Sequence, residues 1–314
     1  MSVSYLISSY NKCEYLRVVL QTVYEELQVT DGEVVIVDDG SSDNSWDIIV
    51  DFARRDNRIS IHKQQNRGIF NVTNKLLGLG QQRWLRFIDC DDPLIPGSTE
   101  VLKQLAESKM ADYVFGNMIP YGPGPLACFG VESQDQADCT FEILDDPLLY
   151  AISGYNHIPT AALISRRSLD PGVRLEEDLV SCQDLAVALL VFEHGRVLRV
   201  DAPVCWQLVG VENRLSSREA LTFHQTIEIL KRFGTTHFNP RYKQIAAKKV
   251  LSRSLRWMRR NALIRQRPFT YVTLLIAYGR SKVGISTDWE QAMTLATVPL
   301  ARDVEAILQG QKIY

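Results

Sequence analysis

A chain of 314 residues, 46% apolar and 23% charged, can bury a sizeable core in one large domain or in a domain with an appendage. Its formal net charge of -2 selects no particular partner, and no apolar stretch reaches the roughly 18 residues needed to cross a bilayer. The six cysteines (Cys13, Cys90, Cys128, Cys139, Cys182 and Cys205) form no C-x-x-C pair and no zinc-spaced cluster with histidine, so reduced thiols in a cytosolic protein are expected.

The chain opens directly on a strand, Val3 to Ser8, with no basic leader before it, so no signal peptide is expected. Leu16, Val19, Leu20 and Val23 fall on one face of a helix predicted over Asn11 to Leu27. Val34 to Val37 reads as a second strand. It ends in the turn-and-cap cluster Asp38-Asp39-Gly40-Ser41-Ser42-Asp43, before a helix through Trp46 to Arg54. A third strand, Ile59 to His62, precedes a helix after Gly68. A fourth, Trp84 to Ile88, runs into Asp89-Cys90-Asp91-Asp92-Pro93. A helix at Thr99 to Ser108 and a strand at Tyr113 to Phe115 follow. Pro120 to Leu148 is rich in Gly, Pro, Asp and Gln and reads as irregular loops. Beyond it come a strand (Ala161 to Ile164), a helix (Cys182 to Phe192), two strands (Val197 to Val200 and Cys205 to Leu208) and a helical pattern from Ser216 onward.

Strands alternating with helices at this spacing imply an α/β domain: a Rossmann-like, mostly parallel sheet with helices on both faces. Ligands of such sheets bind beyond the carboxyl ends of the strands. The segments Ser8-Ser9-Tyr10-Asn11, Asp38-Asp39 and Asp89-Cys90-Asp91-Asp92 all follow strand ends, so the fold is expected to bring them together. Three carboxylates within four residues repel one another unless a cation or donor groups compensate. Hard oxygen ligands beside a diphosphate suit Mg²⁺ or Mn²⁺. The plain alternative is a solvated, capping turn. Asp38-Asp39 can accept from a base N–H or ribose hydroxyls, or belong to a helix-capping cluster with Ser41, Ser42 and Asp43. Glu176-Glu177-Asp178 and Gln183-Asp184 supply carboxylates for a general base, although Asp184 at a helix start is equally a cap.

The run Ser4 to Lys12 with Tyr15-Leu16, the strand and loop Val35 to Asp43, Asn66-Arg67-Gly68 with Asn74, Phe87 to Asp92, and Gln183-Asp184 before an apolar helix resemble, in order and spacing, the inverting glycosyltransferases of family 2. The resemblance covers about residues 1 to 217 and implies a GT-A fold. It implies a nucleotide-sugar site of Ser9, Tyr10, Asn11, Asp38, Asp39, Arg67 and Asp89, with Tyr10 and Asp39 at the base and Asp89 near the ribose. It further implies a metal held by Asp91 and Asp92, Asp184 as general base, and Arg214 to Ser217 closing over the diphosphate. The chain departs from the family pattern at Gln183, where Glu is usual, at Ser9, where Pro is frequent, and at Thr73, where Arg commonly precedes the asparagine.

The expected organisation is a nucleotide-sugar-binding and catalytic domain over 1–215 and a basic helical region over 216–314. From Ile229 to Thr287 there are 14 Lys or Arg and no Asp or Glu, with aromatic and aliphatic residues interleaved. That pattern fits either an anionic membrane surface or a helical cap with a solvated basic face. No nucleic-acid recognition motif accompanies the charge, so no nucleic acid is expected. Expected partners are a nucleotide-sugar donor, most simply a UDP-sugar, and a glycan or lipid-linked acceptor of cell-surface polysaccharide or glycolipid synthesis, with Mn²⁺ or Mg²⁺ as cofactor. The expected place is the cytoplasm, peripheral to the inner face of the membrane. The other readings are a nucleotidyltransferase, which would want a Gly-rich basic loop after the first strand, and a non-catalytic sugar-binding protein retaining the fold.

Overall fold

The computed structural model describes residues 2–123, 139–155, 158–170, 172–211, 219–261, 263–282, 293, 294 and 296. Cys128, the segment Arg214 to Ser217 and the end of the basic stretch, 283–287, lie outside the described residues. The chain divides into two compact units, 1–147 with 156–212, and 148–155 with 213–314.

The first unit carries an eight-stranded sheet in the order β3-β2-β1-β4-β7-β5-β8-β6. Strands β1 (Val3–Ser9), β2 (Gly32–Asp38), β3 (Ile59–Lys63) and β4 (Trp84–Asp89) are parallel neighbours. They alternate with helices α1 (Cys13–Val29), α2 (Ser45–Ala53) and α3 (Ile69–Leu79), as right-handed crossovers between parallel strands require. Helix α4 (Ser98–Ser108) leads to β5 (Tyr113–Tyr121), which pairs in parallel with β8 (Val197–Leu208). Strand β6 (Phe141–Ile143) is antiparallel to β8. Strand β7 (Ala162–Ser165) lies between β4 and β5, antiparallel to both. The sheet is thus mostly parallel, and it is covered on both faces. Val3, Tyr5 and Ile7 of β1 join the core beneath α1, α2 and α4, while Leu6, Val35 and Val37 are buried on the opposite side. On that side the C-cap of α3 closes down so far that a Cβ on Gly80 would stand 2.7 Å from Leu6 Cδ2.

Two elements differ from the sequence expectation. Helix α1 starts at Cys13, because Asn11 adopts φ 49, a left-handed conformation that asparagine tolerates and a helix excludes. The two strands expected around Pro203 are one, β8. The proline sits where the β5–β8 register shifts, so the ladder absorbs its missing N–H. Arg86 on β4 is fully buried. Its guanidinium donates to Ser98 Oγ at 3.1 Å, to the carbonyl of Val204 at 3.0 Å and to that of Thr160, tying the central strand to α4 and β8.

In the second unit α7 (Glu219–Thr236) packs along α8 (Pro240–Arg260), and α8 against α9 (Pro268–Lys282). Helix α5 (Pro147–Gly154) begins at the boundary of this unit, and its residues from Leu148 belong to it. Phe223 stacks on Trp257 with ring centroids 5.0 Å apart. Helix α8 buries Ala246, Val250, Leu251, Leu255 and Met258 and leaves Arg256, Arg259 and Arg260 exposed. Helix α9 buries Leu274, Ala277 and Ser281, whereas Phe269, Val272, Leu275 and Ile276 are exposed. Among the described residues no helix is long and apolar enough to cross a membrane.

Candidate nucleotide and metal site

The strand order reverses at β1, whose two neighbours carry the chain off in opposite directions, so the carboxyl ends of β1, β2 and β4 flank one crevice. Three loops meet there and are stitched by short polar side chains. Asn11 N donates to Ser41 Oγ at 3.0 Å, and Asn11 Oδ1 accepts from Ser42 N at 2.8 Å. Lys12 N donates to Ser45 Oγ at 3.0 Å and Cys13 N to Asp43 Oδ2 at 3.1 Å. Asp43 Oδ1 also accepts from Ser45 N at 2.9 Å at the start of α2, but much of what the cluster after β2 satisfies is the chain after β1. Asp38 is buried and accepts from Ser41 N at 3.0 Å.

Asp39 is also buried, and it holds the third loop. Its Oδ1 accepts from Gln64 Nε2 at 2.8 Å and Arg67 N at 2.9 Å, and its Oδ2 accepts from Gly68 N at 2.8 Å. The loop turns through Gly68 at φ 86 and crosses Gly40 so closely that a Cβ there would stand 3.0 Å from Asn66 N. Asn66 carries a finding the sequence did not assign. Both its side-chain oxygen and nitrogen are buried without a partner, and so is Ser9 Oγ at the end of β1. Unpaired buried polar atoms cost about 1–3 kcal/mol each, and at a crevice of this kind a bound polar ligand removes that cost. Tyr10 is half-buried, and Asn11 and Arg67 are exposed; Arg67 Nη2 lies 3.8 Å from Glu177.

At the end of β4, Asp89 N donates to Thr160 Oγ1 at 3.0 Å. Asp91 is 6% exposed in its side chain and forms an ion pair with Lys12 Nζ at 2.7 Å, while its carbonyl accepts from Tyr121 Oη at 2.6 Å. Asp92 is fully buried, and its Oδ1 accepts from Leu208 N at 2.9 Å. One oxygen of Asp92 is thus committed to anchoring β8. Among the described residues no three His, Cys, Asp or Glu side chains converge as a self-contained cage. Ions such as Mg²⁺ keep waters and take one or two protein carboxylates plus substrate phosphates, so the donor set fits a divalent ion completed by a diphosphate. The Lys12 ammonium already marks Asp91 as a place where positive charge is held.

The loop before α6 (Gln183–Phe192) is clamped to α3. Leu175 N donates to Asn74 Oδ1 at 2.7 Å, and Asn74 Nδ2 returns a bond to the Leu175 carbonyl at 2.9 Å. Glu177 accepts from Asn71 at 2.8 Å and from Asn74 at 3.3 Å. Those two bonds, with Arg67 and Arg174 nearby, hold its carboxyl below the usual range. Asp184 behaves oppositely. Burial at the start of the apolar helix raises its pKa to about 6, against the backbone N–H groups of Leu185 and Asp184 itself, which favour the ionised form. Two carboxylates of one loop region are thus pushed apart: a weakly basic, tethered Glu177 and an Asp184 suited to take a proton near neutrality. The pairing of Lys12 with Asp91 and of Asn74 with Leu175 has no local sequence signal, because the partners are 79 and 101 residues apart.

A family model described as "Glycosyl transferase family 2" matches residues 4–170, more than half of the chain. The glycosyltransferase GlyG of Streptococcus pneumoniae serotype 4 is 31% identical over 124 residues, 38% of this chain and 40% of GlyG. A PGL/p-HBAD biosynthesis glycosyltransferase of Mycobacterium tuberculosis is 34% identical over 92 residues, 28% of this chain and 36% of that protein. The matched stretches thus span only about a third of the length of these curated relatives. Among solved structures, S. aureus TarS 1-349 superposes with TM-score 0.63 at 17% identity, covering 99% of this chain and 92% of TarS. The mannosyltransferase PcManGT from Pyrobaculum calidifontis, in complex with GDP-Man and Mn²⁺, gives 0.59 at 14% identity, covering 98% and 88%. Motif order, sheet topology, the strand-end crevice and the family match agree: the chain belongs to glycosyl transferase family 2 and has the GT-A fold.

Proposed function

We propose that the protein transfers a sugar from a nucleoside-diphosphate sugar, a UDP-sugar first among the candidates, to a hydroxyl of a glycan or lipid-linked acceptor with inversion at the anomeric carbon. The observation that carries the reading is the crevice where Ser9, Asp39, Asn66 and Asp91 converge through three stitched loops. A solved TarS structure is a complex with UDP-GlcNAc, which supports a donor of this chemical class.

The roles follow from position and chemistry. Tyr10, Asn11, Arg67 and Asn66 border the base. Asp39 fixes the loop that carries Asn66 and Arg67 and keeps a lone pair on Oδ2 for a base N–H. Asp38 holds the Ser41 turn, and Asp89 is assigned to the ribose. Asp91 is the carboxylate for Mn²⁺ or Mg²⁺, with Asp92 beside it anchored to β8. The ion, when bound, supplies charge that offsets the negative charge developing on the departing diphosphate. Asp184 takes the proton of the acceptor hydroxyl as that oxygen bonds to the anomeric carbon and the carbon–phosphate oxygen bond breaks. The enzyme is assigned to the cytoplasmic side of a membrane and to polysaccharide or glycolipid assembly. Helix α9 supports the membrane contact. Its exposed apolar residues Phe269, Val272 and Ile276 share one face, flanked in sequence by Arg265, Arg267, Arg280 and Lys282.

The test is release of nucleoside diphosphate from a panel of nucleotide sugars with and without Mn²⁺. Mn²⁺-dependent release from at least one donor supports the reading. Absence of turnover and of binding across the panel overturns it in favour of a non-catalytic protein.

A further inference from the structure

We infer that Lys12 is a resident countercation of Asp91, which a divalent ion must displace and a nucleoside diphosphate then takes over. The free protein accordingly binds the ion weakly, and metal and nucleotide bind cooperatively. The inference rests on the reading of Asp91 as a metal ligand and adds a role for a residue of the opposite loop.

The root of Lys12 is fixed. Its N–H donates to Ser45 Oγ at 3.0 Å, and its carbonyl accepts from Tyr15 N and Leu16 N, both at 3.0 Å, as the start of α1. The four-carbon stem carries the ammonium from this root across to the opposite loop. Its ammonium stands 2.7 Å from Asp91 Oδ2, with the lysine side chain 24% exposed and the aspartate 6% exposed. The carboxylate is therefore buried, while part of the lysine side chain reaches solvent. Asp91 lies in a run with Asp89 and Asp92, and without a positive partner these carboxylates repel.

A divalent ion on the same oxygen would set two cations against one buried carboxylate, where they repel strongly away from bulk water. An ion that takes Oδ2 therefore competes with the lysine for that oxygen. A lysine withdrawn from a carboxylate is a compact point charge that phosphate oxygens receive well. A diphosphate therefore helps the ion twice, by donating oxygens to it and by receiving the displaced ammonium. Linkage makes the help reciprocal: the factor by which the nucleotide tightens the ion is the factor by which the ion tightens the nucleotide.

The experiment titrates Mn²⁺ into the nucleotide-free full chain, reading free Mn²⁺ by electron paramagnetic resonance, and repeats the titration with UDP. Lys12→Met is expected to bind Mn²⁺ about tenfold more tightly than the parent, the scale set by one partly buried ion pair. Lys12→Arg, which keeps the charge, is expected to stay near the parent, and Lys12→Gln replaces the Met variant should that one fail to fold. UDP is expected to tighten Mn²⁺ by a smaller factor in Lys12→Met than in the parent. A folded Lys12→Met that binds Mn²⁺ no better than the parent overturns the inference and leaves the pair a structural tie between two loops. The double variant Lys12→Met/Asp91→Asn separates this from the underlying reading. If it binds Mn²⁺ as tightly as Lys12→Met, Asp91 is not the ligand, and it is the metal assignment that fails.

Discussion

Replacing Asp184 by Asn is expected to stabilise the protein while removing its activity. The folded-state pKa of Asp184 is about 6, raised from 3.8 by burial. A carboxyl raised in this way favours its protonated form in the fold. The stability that goes with protonation is fully present below the unfolded value near 4 and is lost as pH rises through about 6. Moving this pKa from 3.8 to about 6 corresponds to about 3 kcal/mol, an upper figure because the site relaxes on ionisation. At pH 8 the parent carries that cost and the asparagine variant does not. Asn also keeps one oxygen for the N–H groups of Leu185 and residue 184. At roughly 2–4 °C per kcal/mol, the scale for a domain of about 150–250 residues, the variant is expected to melt up to about 6–12 °C higher at pH 8. The gap should shrink to about half at pH 5 and close only below about pH 4. Transfer should fall by about 10²–10⁴-fold above pH 6, the usual contribution of a general base, and by less below it, where the parent's own carboxyl is protonated. The assay is a melting series from pH 5 to pH 8 on both proteins, with turnover measured alongside. A gap that does not change with pH, or a variant that melts lower at pH 8, would refute the burial argument.

Four further outcomes are expected. Glu177→Gln should keep most of the turnover, because its carboxylate is tied to Asn71 and Asn74; hydrogen exchange should instead quicken around Leu175. If Glu177→Gln abolishes transfer while Asp184→Asn keeps it, the base is Glu177. Asp39→Ala should cost about 3 kcal/mol in denaturant unfolding, because it strands the buried N–H of Gly68 and weakens the hold on Arg67 N and Gln64; it should also weaken UDP binding, and an unchanged unfolding midpoint would count against the loop-pinning role. Charge reversal at Arg256, Arg259 and Arg260, and separately Phe269→Ser with Ile276→Ser, should each reduce co-sedimentation with anionic liposomes. Added salt should release the parent, and equal partition onto neutral vesicles would argue against an electrostatic dock.

The strand ends were readable in the sequence because buried parallel strands are apolar runs, and the polar residues terminating them stand out against that background. Asp38-Asp39 and Asp89 to Asp92 were legible for this reason, and the sheet places them at one edge. What a linear pattern does not carry is pairing. Strand β7 reads as four apolar residues, and nothing local says that it runs antiparallel between β4 and β5. Capping and ligand binding also use the same residues: Ser41, Ser42 and Asp43 look like caps of the following helix, yet Ser41 and Ser42 bond to Asn11 and Asp43 to Cys13 at the start of α1. The excursion of residues 148–155 into the second unit has no signal either, since α5 is a short apolar helix like those of the catalytic sheet. The pKa split between Glu177 and Asp184 depends on depth and on asparagines 103 and 106 residues away, so the sequence left both as candidates for the base.

The central claim is that the crevice at the ends of β1, β2 and β4 binds a nucleoside diphosphate through a divalent ion on Asp91. The direct measurement is the rise in melting temperature that UDP produces with and without Mn²⁺, in the parent and in Asp91→Asn. A ligand present at 100 times its Kd stabilises the native state by about 2.7 kcal/mol. The parent is therefore expected to shift by several degrees with UDP and Mn²⁺ together and by much less with either alone, and Asp91→Asn is expected to lose the Mn²⁺-dependent part. An equal, Mn²⁺-dependent shift in the parent and in Asp91→Asn would contradict the claim.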